Sequence, residues 1–316
     1  MSGSLCHSLD QIVADILQIV DDDKTTSRHD DGAEYFFRGI CCNWATKTNS
    51  DIGAAFECSL DRFPYRNRNE REIYQEALRL NVASFTEDRT MAERIARMQH
   101  YGLPTRFADL SVNALQAALF AVGGCDPAAK SMSELDGFIR VVKVAKRKMK
   151  SFTSDIIVAI SHLPLVDADN IHPENSSKQD LGYLAYEMQS ERPTFDLDSY
   201  GKRGKSLFEE IQQVWSFKPL MNNPRIRNQG GLFLAFGCRD GKAPLHPTFS
   251  PNDYDNPNAP SFGIAQVGFV RIAAKAKADI LEQLRMFGMT EEGVYPELSD
   301  VCKTLDKRFR NLYPNN

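Results

Sequence analysis

A chain of 316 residues with 42% hydrophobic content is long enough to bury a substantial core, which sets aside disorder as its resting state. Its 38 Lys and Arg against 42 Asp and Glu leave a net charge of -4, so the field of the whole molecule offers no general attraction to nucleic acid or to a membrane surface. No stretch approaches the roughly 20 apolar residues of a membrane helix, and the opening MSGSLCHSLDQIV lacks the basic and apolar regions of a signal peptide, so a cytoplasmic protein is expected.

Read in chain order, Ser8-Leu9-Asp10-Gln11 ahead of Ile12, Ile16 and Ile19 predicts a capped amphipathic helix, followed by an acidic linker from Asp21 to Asp31. The run EYFFRGI, Glu34 to Ile40, is aromatic and β-prone and predicts a short strand with Arg38 near its end. After a polar loop rich in Arg and Asn, the stretches Asn69 to Phe85 and Asp88 to Gln99 predict two helices. YGLPTRFADLS carries Gly102 and Pro104 and is expected as a polar loop, clamped against a buried helix from Val112 to Val122.

GFIRVVKVA, Gly137 to Ala145, predicts a strand, and the basic string Lys143, Lys146, Arg147, Lys148 and Lys150 at its end reads as a solvated edge. Helices are expected at Ser154 to Leu163 and Leu181 to Gln189. QQVWSFKPL and GGLFLAFGC read as two strands flanking a loop from Met221 to Gln229. Five prolines between Gly241 and Pro260 make that interval loop. FGIAQVGFVRIA then predicts one more strand, with helices at Ala274 to Phe287 and Glu297 to Leu312.

The fold class that follows is α+β, a single compact unit with a central mixed or antiparallel sheet from the segments near residues 35, 140, 215, 233 and 268 and helices packed on it. Residues 1–31 form an N-terminal helix and linker, 32–237 the main domain, and 238–316 a strand and helices on the same core. Seven cysteines, an odd count with no C-x-x-C pair, read as reduced packing thiols, and they form no zinc pattern with the six histidines. No metal is therefore expected.

Three fragments place charged or amide side chains beside glycine in an apolar setting: FFRG at Phe36 to Gly39, QHYGLPTRFADLS at Gln99 to Ser111, and NPRIRNQGGLFLAF at Asn223 to Phe236. Buried polar groups must be paired, so such clusters are internal struts or a ligand site. In this order the fragments resemble the FRG domain, a bacterial family named for Phe-Arg-Gly, here Phe37-Arg38-Gly39. The resemblance runs from about Tyr35 to Phe236. It departs from the family pattern at Phe107-Ala108-Asp109-Leu110-Ser111, where the family usually reads Leu-Leu-Asp-Trp-Thr.

Two readings of the site follow from residue chemistry beside this resemblance. In the first, the order Arg38, His100-Tyr101, Gln229 mimics the plan of ADP-ribosyltransferases and NAD is the cofactor. Arg38 or Arg106 would clamp the pyrophosphate, Tyr101 would stack on nicotinamide and Gln229 would hold the ribose. Gln229 carries an amide and cannot take a proton, so Asp109 or Glu187 would serve as base. A protein acceptor or an antitoxin would be the partner, and by analogy the role would be an effector of a stress or phage-defence module.

In the second reading, Arg38, His100 and Arg106 grip a phosphate or nucleotide in a non-enzymatic sensor. Arg38, His100, Tyr101 and Gln229 are thus the catalytic candidates, and Arg106, Asp109, Asn113 and Arg225 the ligand-binding ones. For each a structural role stands beside the functional one: Arg38 as a bridge to Asp109, His100 as a helix-terminal histidine, Asn113 as a helix cap. A nucleic-acid face of Arg62, Arg66, Arg68, Arg71, Lys143, Lys146, Arg147 and Lys148 lacks both a metal-type carboxylate cluster and a net basic charge, so nucleic acid is not the expected partner.

Overall fold

The computed structural model describes residues 5–26, 32–42, 56–60, 69–123, 134–166, 178–201, 206–238 and 244–295. The expected helix from Glu297 to Leu312 and the expected basic residues Arg62, Arg66 and Arg68 lie outside them.

Among the described residues, eight strands form one mixed sheet in the order β1-β8-β4-β2-β3-β7-β6-β5. They are β1 (Leu5–Cys6), β2 (Glu34–Ile40), β3 (Phe107–Ser111), β4 (Gly137–Val144), β5 (Met149–Ser151), β6 (Val214–Lys218), β7 (Gly231–Phe236) and β8 (Ile264–Ile272). The interior pairings are antiparallel, and only the edge strands β1 and β5 run parallel to their neighbours. The α+β architecture read from the sequence is what the chain adopts, as one compact unit.

Two core clusters share one face of the sheet. On the first, α1 (Leu9–Thr26), α4 (Ala114–Val122) and α10 (Lys277–Met286) cover Ile139 and Val141 of β4 and Val270 and Ile272 of β8. On the second, α3 (Met91–His100), after α2 (Glu70–Leu80), joins α5 (Asp155–His162), α6 (Lys178–Met188) and the short helices α7 (Leu197–Gly201) and α8 (Leu207–Ile211). This group packs over Phe107, Trp215, Phe217, Phe233 and Ala235. The opposite face is covered by irregular chain, with Phe56, Cys58, Leu60, Leu245 and Phe249 on Phe36, Leu110, Val142, Leu234 and Phe236. With cover on both sides, β4 is buried at every position, which explains why its sequence is a near-continuous apolar run.

Four expectations are corrected. The segment read as a polar loop contains β3, because Phe107, Ala108 and Leu110 are buried and pair with β7, and only Tyr101 to Arg106 turns. The loop from Met221 to Gln229 ends in α9 (Pro224–Gln229), which Asn223 caps at its start and Gly230, at φ +53, stops at its end. The helix expected over Ala274 to Phe287 opens with a 3-10 turn before α10 begins.

The basic string is a solvated edge only in part: Lys146 and Arg147 are exposed, but Lys143 and Lys148 are buried. Lys148 is buried with its Nζ donating to Gln213 Oε1 at 2.6 Å and lying 3.8 Å from the Trp215 ring centroid, and Lys143 pairs with Asp23 at 3.0 Å. Cys6, Cys41, Cys42, Cys58 and Cys238 are buried. No helix among the described residues is long and apolar enough to cross a membrane.

Candidate functional site

The sheet carries its own opening. β2 and β4 pair along seven residues, and β3 and β7 along five, but β2 meets β3 at Phe37↔Ser111 alone, so the two halves of the sheet diverge from that point. The same line separates the two helical core clusters on the face above. Divergent strands leave backbone polar groups that must find other partners. Arg38 fills this role, its guanidinium donating to the Asp109 carbonyl at 2.7 Å and to Asp109 Oδ1 at 3.2 Å.

The three residues of the Phe-Arg-Gly motif therefore have separate tasks. Phe37 faces the helical cluster, Arg38 crosses to β3, and Gly39 lets β2 touch α4. A Cβ at Gly39 would stand 1.8 Å from the Ala117 carbonyl oxygen, so no side chain fits there.

A cleft with enclosed room for about one water molecule opens beside the Arg38–Asp109 pair. Asp109 and Ser111 of β3 and Phe233 of β7 form its floor. His100 at the end of α3, Phe120 of α4, and Ile226 and Gln229 of α9 form its walls. Short hydrogen bonds hold these walls together: Ser111 Oγ donates to Gln116 Oε1 at 2.8 Å, and Gln116 Nε2 donates to the Asn228 carbonyl at 3.2 Å. α4, β3 and α9 are thus tied at one corner.

Asp109 has a second support. Gln99 accepts from Thr105 Oγ1 at 2.7 Å and from Ser59 Oγ at 2.9 Å on its Oε1, which turns its Nε2 toward Asp109 Oδ1 at 3.5 Å, the long limit of a hydrogen bond. Burial alone would push the Asp109 carboxyl up, but the Arg38 guanidinium beside it outweighs burial and leaves it below the usual carboxylate range. It is ionised at neutral pH.

His100 is in the opposite state. Burial, with Arg225 and Arg97 nearby, brings its pKa down to about 4 against the pull of Asp109, so the imidazole is neutral at pH 7. Its ring meets Phe233 edge-on, with centroids 5.3 Å apart, and its buried Nε2 has no hydrogen-bond partner. A buried ring nitrogen without a partner is costly unless a ligand completes it.

Of the residues singled out in the sequence, His100, Asp109 and Gln229 come together in the cleft, with Arg38 behind Asp109. Tyr101 does not line it. It is 53% exposed and stacks on Arg225, whose guanidinium lies 5.3 Å from the Tyr101 ring centroid and 4.4 Å from that of Tyr295. Asn113 caps α4, accepting from Leu115 N at 2.9 Å, and does not line the cleft. Glu187, expected as an alternative base, lies on α6 and is not a cleft residue either.

Arg106 corrects the sequence reading most sharply. It is fully buried, bonded through Nε to Glu70 Oε1 at 2.8 Å, through a second nitrogen to Glu70 Oε2, and through the third to the Phe236 carbonyl at 3.2 Å. Sealed from solvent and absent from the cleft lining, it cannot reach a phosphate there. The cleft residues that sequence reasoning missed, Ser111, Phe120, Ile226 and Phe233, are apolar or small and look like core in the sequence. Among the described residues no group of His, Cys, Asp and Glu is arranged to hold a metal ion.

Residues 33–130 match the family model of the FRG domain. The chain carries an FRG domain. The matched stretch includes Arg38, His100 and Asp109, so the FRG domain supplies the charged side of the cleft. Ile226, Gln229 and Phe233 belong to chain beyond it. No curated protein and no solved structure matches the chain.

Proposed function

We propose that the cleft of this FRG-domain protein binds the nicotinamide-ribosyl end of NAD and cleaves its glycosidic bond, releasing nicotinamide to water or transferring ADP-ribose to an acceptor. The observation that carries this reading is the ionised Asp109 on the cleft floor beside a neutral His100. A site built to grip phosphate would gather cations. Here Arg106 is engaged by Glu70 and Arg38 by Asp109, and His100 is uncharged, so the cleft presents a negative centre among aromatic rings. That suits a cationic pyridinium ring and the hydroxyls of a ribose.

The chemistry follows from the charges. As the bond from the ribose C1′ to the ring nitrogen breaks, the electron pair stays with that nitrogen and nicotinamide leaves neutral, so no general acid is required. The ribose becomes oxocarbenium-like, and the Asp109 carboxylate opposes the growing positive charge. A water or acceptor hydroxyl then bonds to C1′, and its proton passes to Asp109. Gln229 offers an amide to the ribose hydroxyls, Phe233 and Phe120 pack on the ring, and the unpartnered His100 Nε2 accepts from a hydroxyl or from the carboxamide. The cleft as it stands encloses room for about one water molecule, so a pyridinium ring and its ribose enter only as its walls part.

The test is to incubate the protein with NAD and to follow nicotinamide and ADP-ribose by mass spectrometry, alone and with Asp109→Asn. Release by the parent protein, falling about a hundredfold or more in a folded Asp109→Asn variant, is the expected result. Equal rates in the two proteins would remove Asp109 from the chemistry. No release, together with a melting temperature raised by NAD, would make the FRG domain a binding module.

A further inference from the structure

We propose that the connection between β6 and β7 is the gate of the cleft, a flap that turns outward between Asn222 and Gly230 and is latched shut by Gln116; this rests on the cleft being the ligand site, whatever ligand it takes. Room for about one water molecule does not admit an organic ligand, so one wall must give way. The walls differ in what holds them. The floor is β3 paired with β7 along five residues. α3, which carries His100, is anchored through the buried Met91, Ala92, Ile95, Ala96 and Met98. α4, which carries Phe120, buries Ala117, Ala118, Leu119 and Ala121 and has its backbone against Gly39 of β2.

The remaining wall is held more lightly. Pro219, Ile226, Gln229 and Gly231 line the cleft from the connection that leaves β6 after Lys218 and enters β7 at Gly231. Its α9 buries one apolar side chain, Ile226, next to Arg225, which lies against the rings of Tyr101 and Tyr295. Arg227 and Asn228, on the other side of the helix, are exposed. At the near end Asn222 Nδ2 donates to Glu93 Oε1 at 2.8 Å and to Asp88 Oδ1 at 3.3 Å, which fastens the connection to the start of α3. At the far end Gly230, in the left-handed region at φ +53, is a backbone position that can absorb a change of dihedral angle. Between these ends one residue closes the flap. The Asn228 carbonyl accepts from Gln116 Nε2 at 3.2 Å, and Asn228 Nδ2 donates to the Gly293 carbonyl at 2.6 Å. Gln116 Oε1 in turn accepts at 2.8 Å from Ser111 Oγ, so this one side chain joins the floor of the cleft to its flap. A segment with little buried apolar surface, fastened by a few side-chain hydrogen bonds, is the kind that opens while the core stays folded.

Two measurements on the full chain read the opening without turnover. In hydrogen exchange, the amides of Arg227 and Gly230, bonded to the carbonyls of Asn223 and Ile226, are expected to exchange at least about tenfold faster than those of α4 and β7. Diethyl pyrocarbonate, which modifies neutral imidazole, reaches the buried His100 only through the open cleft, and mass spectrometry of the peptides reports it separately from the exposed His246. In Gln116→Leu both α9 exchange and His100 modification are expected to rise about tenfold, the worth of one hydrogen bond, with His246 unchanged. Exchange of α9 in the parent protein as slow as that of α4 overturns the gate even if Gln116→Leu does not fold. So does a His100 that stays unmodified while α9 exchanges, and equal rates in the parent and a folded Gln116→Leu overturn the latch. Opening by these readings without nicotinamide release would sink the cleavage reading and leave the gate standing.

Discussion

Two arginine–carboxylate pairs border the strand that runs through the centre of the site, and they do opposite things. Arg106 and Glu70 are both buried, joined by two hydrogen bonds, with the third guanidinium nitrogen on a carbonyl of β7. Nothing can reach them, and their task is to pin α2 to the sheet. Arg38 and Asp109 differ in one respect: the arginine is buried but the carboxylate is 37% exposed and faces a cleft. The same chemistry makes a strut where both partners are sealed, and a site where one oxygen remains open to a ligand. In the sequence the two arginines look interchangeable, and only exposure separates them.

The largest effect that would sharpen this contrast is expected from Glu70→Ala. It leaves a fully buried guanidinium uncompensated, at a cost of about 3–5 kcal/mol in urea unfolding. A loss under 1 kcal/mol would mean that Arg106 finds another partner or water, and the division between strut and site would fail.

The next effect belongs to the site alone and appears as a pH dependence. His100 has a folded-state pKa of about 4 against an ordinary 6.5. Between those values the unfolded chain binds a proton that the folded one refuses, so stability falls as the pH drops from 6.5 toward 4 and is restored as it rises. His100→Gln removes this dependence. The stability advantage of the parent protein over the variant is therefore expected to shrink by up to about 3 kcal/mol between pH 7 and pH 4. Denaturant titrations across that range decide it, and parallel curves would show that the histidine is not held neutral. His162, whose pKa burial also lowers, is common to both proteins and cancels.

The smallest expected effect is on the stability of Arg38→Ala, a loss of about 1–2 kcal/mol, because the Asp109 carbonyl loses its donor while the carboxylate keeps access to water. Its effect on nicotinamide release should be far larger than this loss suggests, since Asp109 would no longer be held in place. A variant as unstable as Glu70→Ala would make the two pairs alike after all.

The parts of this fold that were legible in the sequence are those where burial dictates composition. β2, β4, β6, β7 and β8 are apolar or aromatic runs because they lie inside the sheet, and α1 and α4 show their buried sides. β3 was not legible, since Asp109 and Ser111 face the cleft and give a central strand the polarity of a loop. α9 is too short to display a period, although proline at its start and glycine at its end mark it.

Within the site, His100, Asp109 and Gln229 were legible as polar residues beside glycine in apolar surroundings. The role of Arg106 was not, because its partner lies 36 residues earlier on a helix whose pattern shows only that one side is buried. The aromatic walls were hidden for a simpler reason. A phenylalanine that lines a cleft and one that fills a core are the same letter.

One pairing bears on how the molecule comes to be. β8 lies between β1 and β4, and among the described residues no other strand lies beside β1, so the first described strand of the chain waits for one of the last. On a ribosome, where the N-terminal part emerges first, β2 and β4 can pair early, but the outer edge of β4 remains open until residues 264–272 are made. Contacts of such long sequence separation make folding slow, because the loop must close before the pairing stabilises it. The half-made chain therefore exposes the edge of β4, with Arg140 and Lys143 the charged residues that discourage pairing with another chain, until β8 closes it.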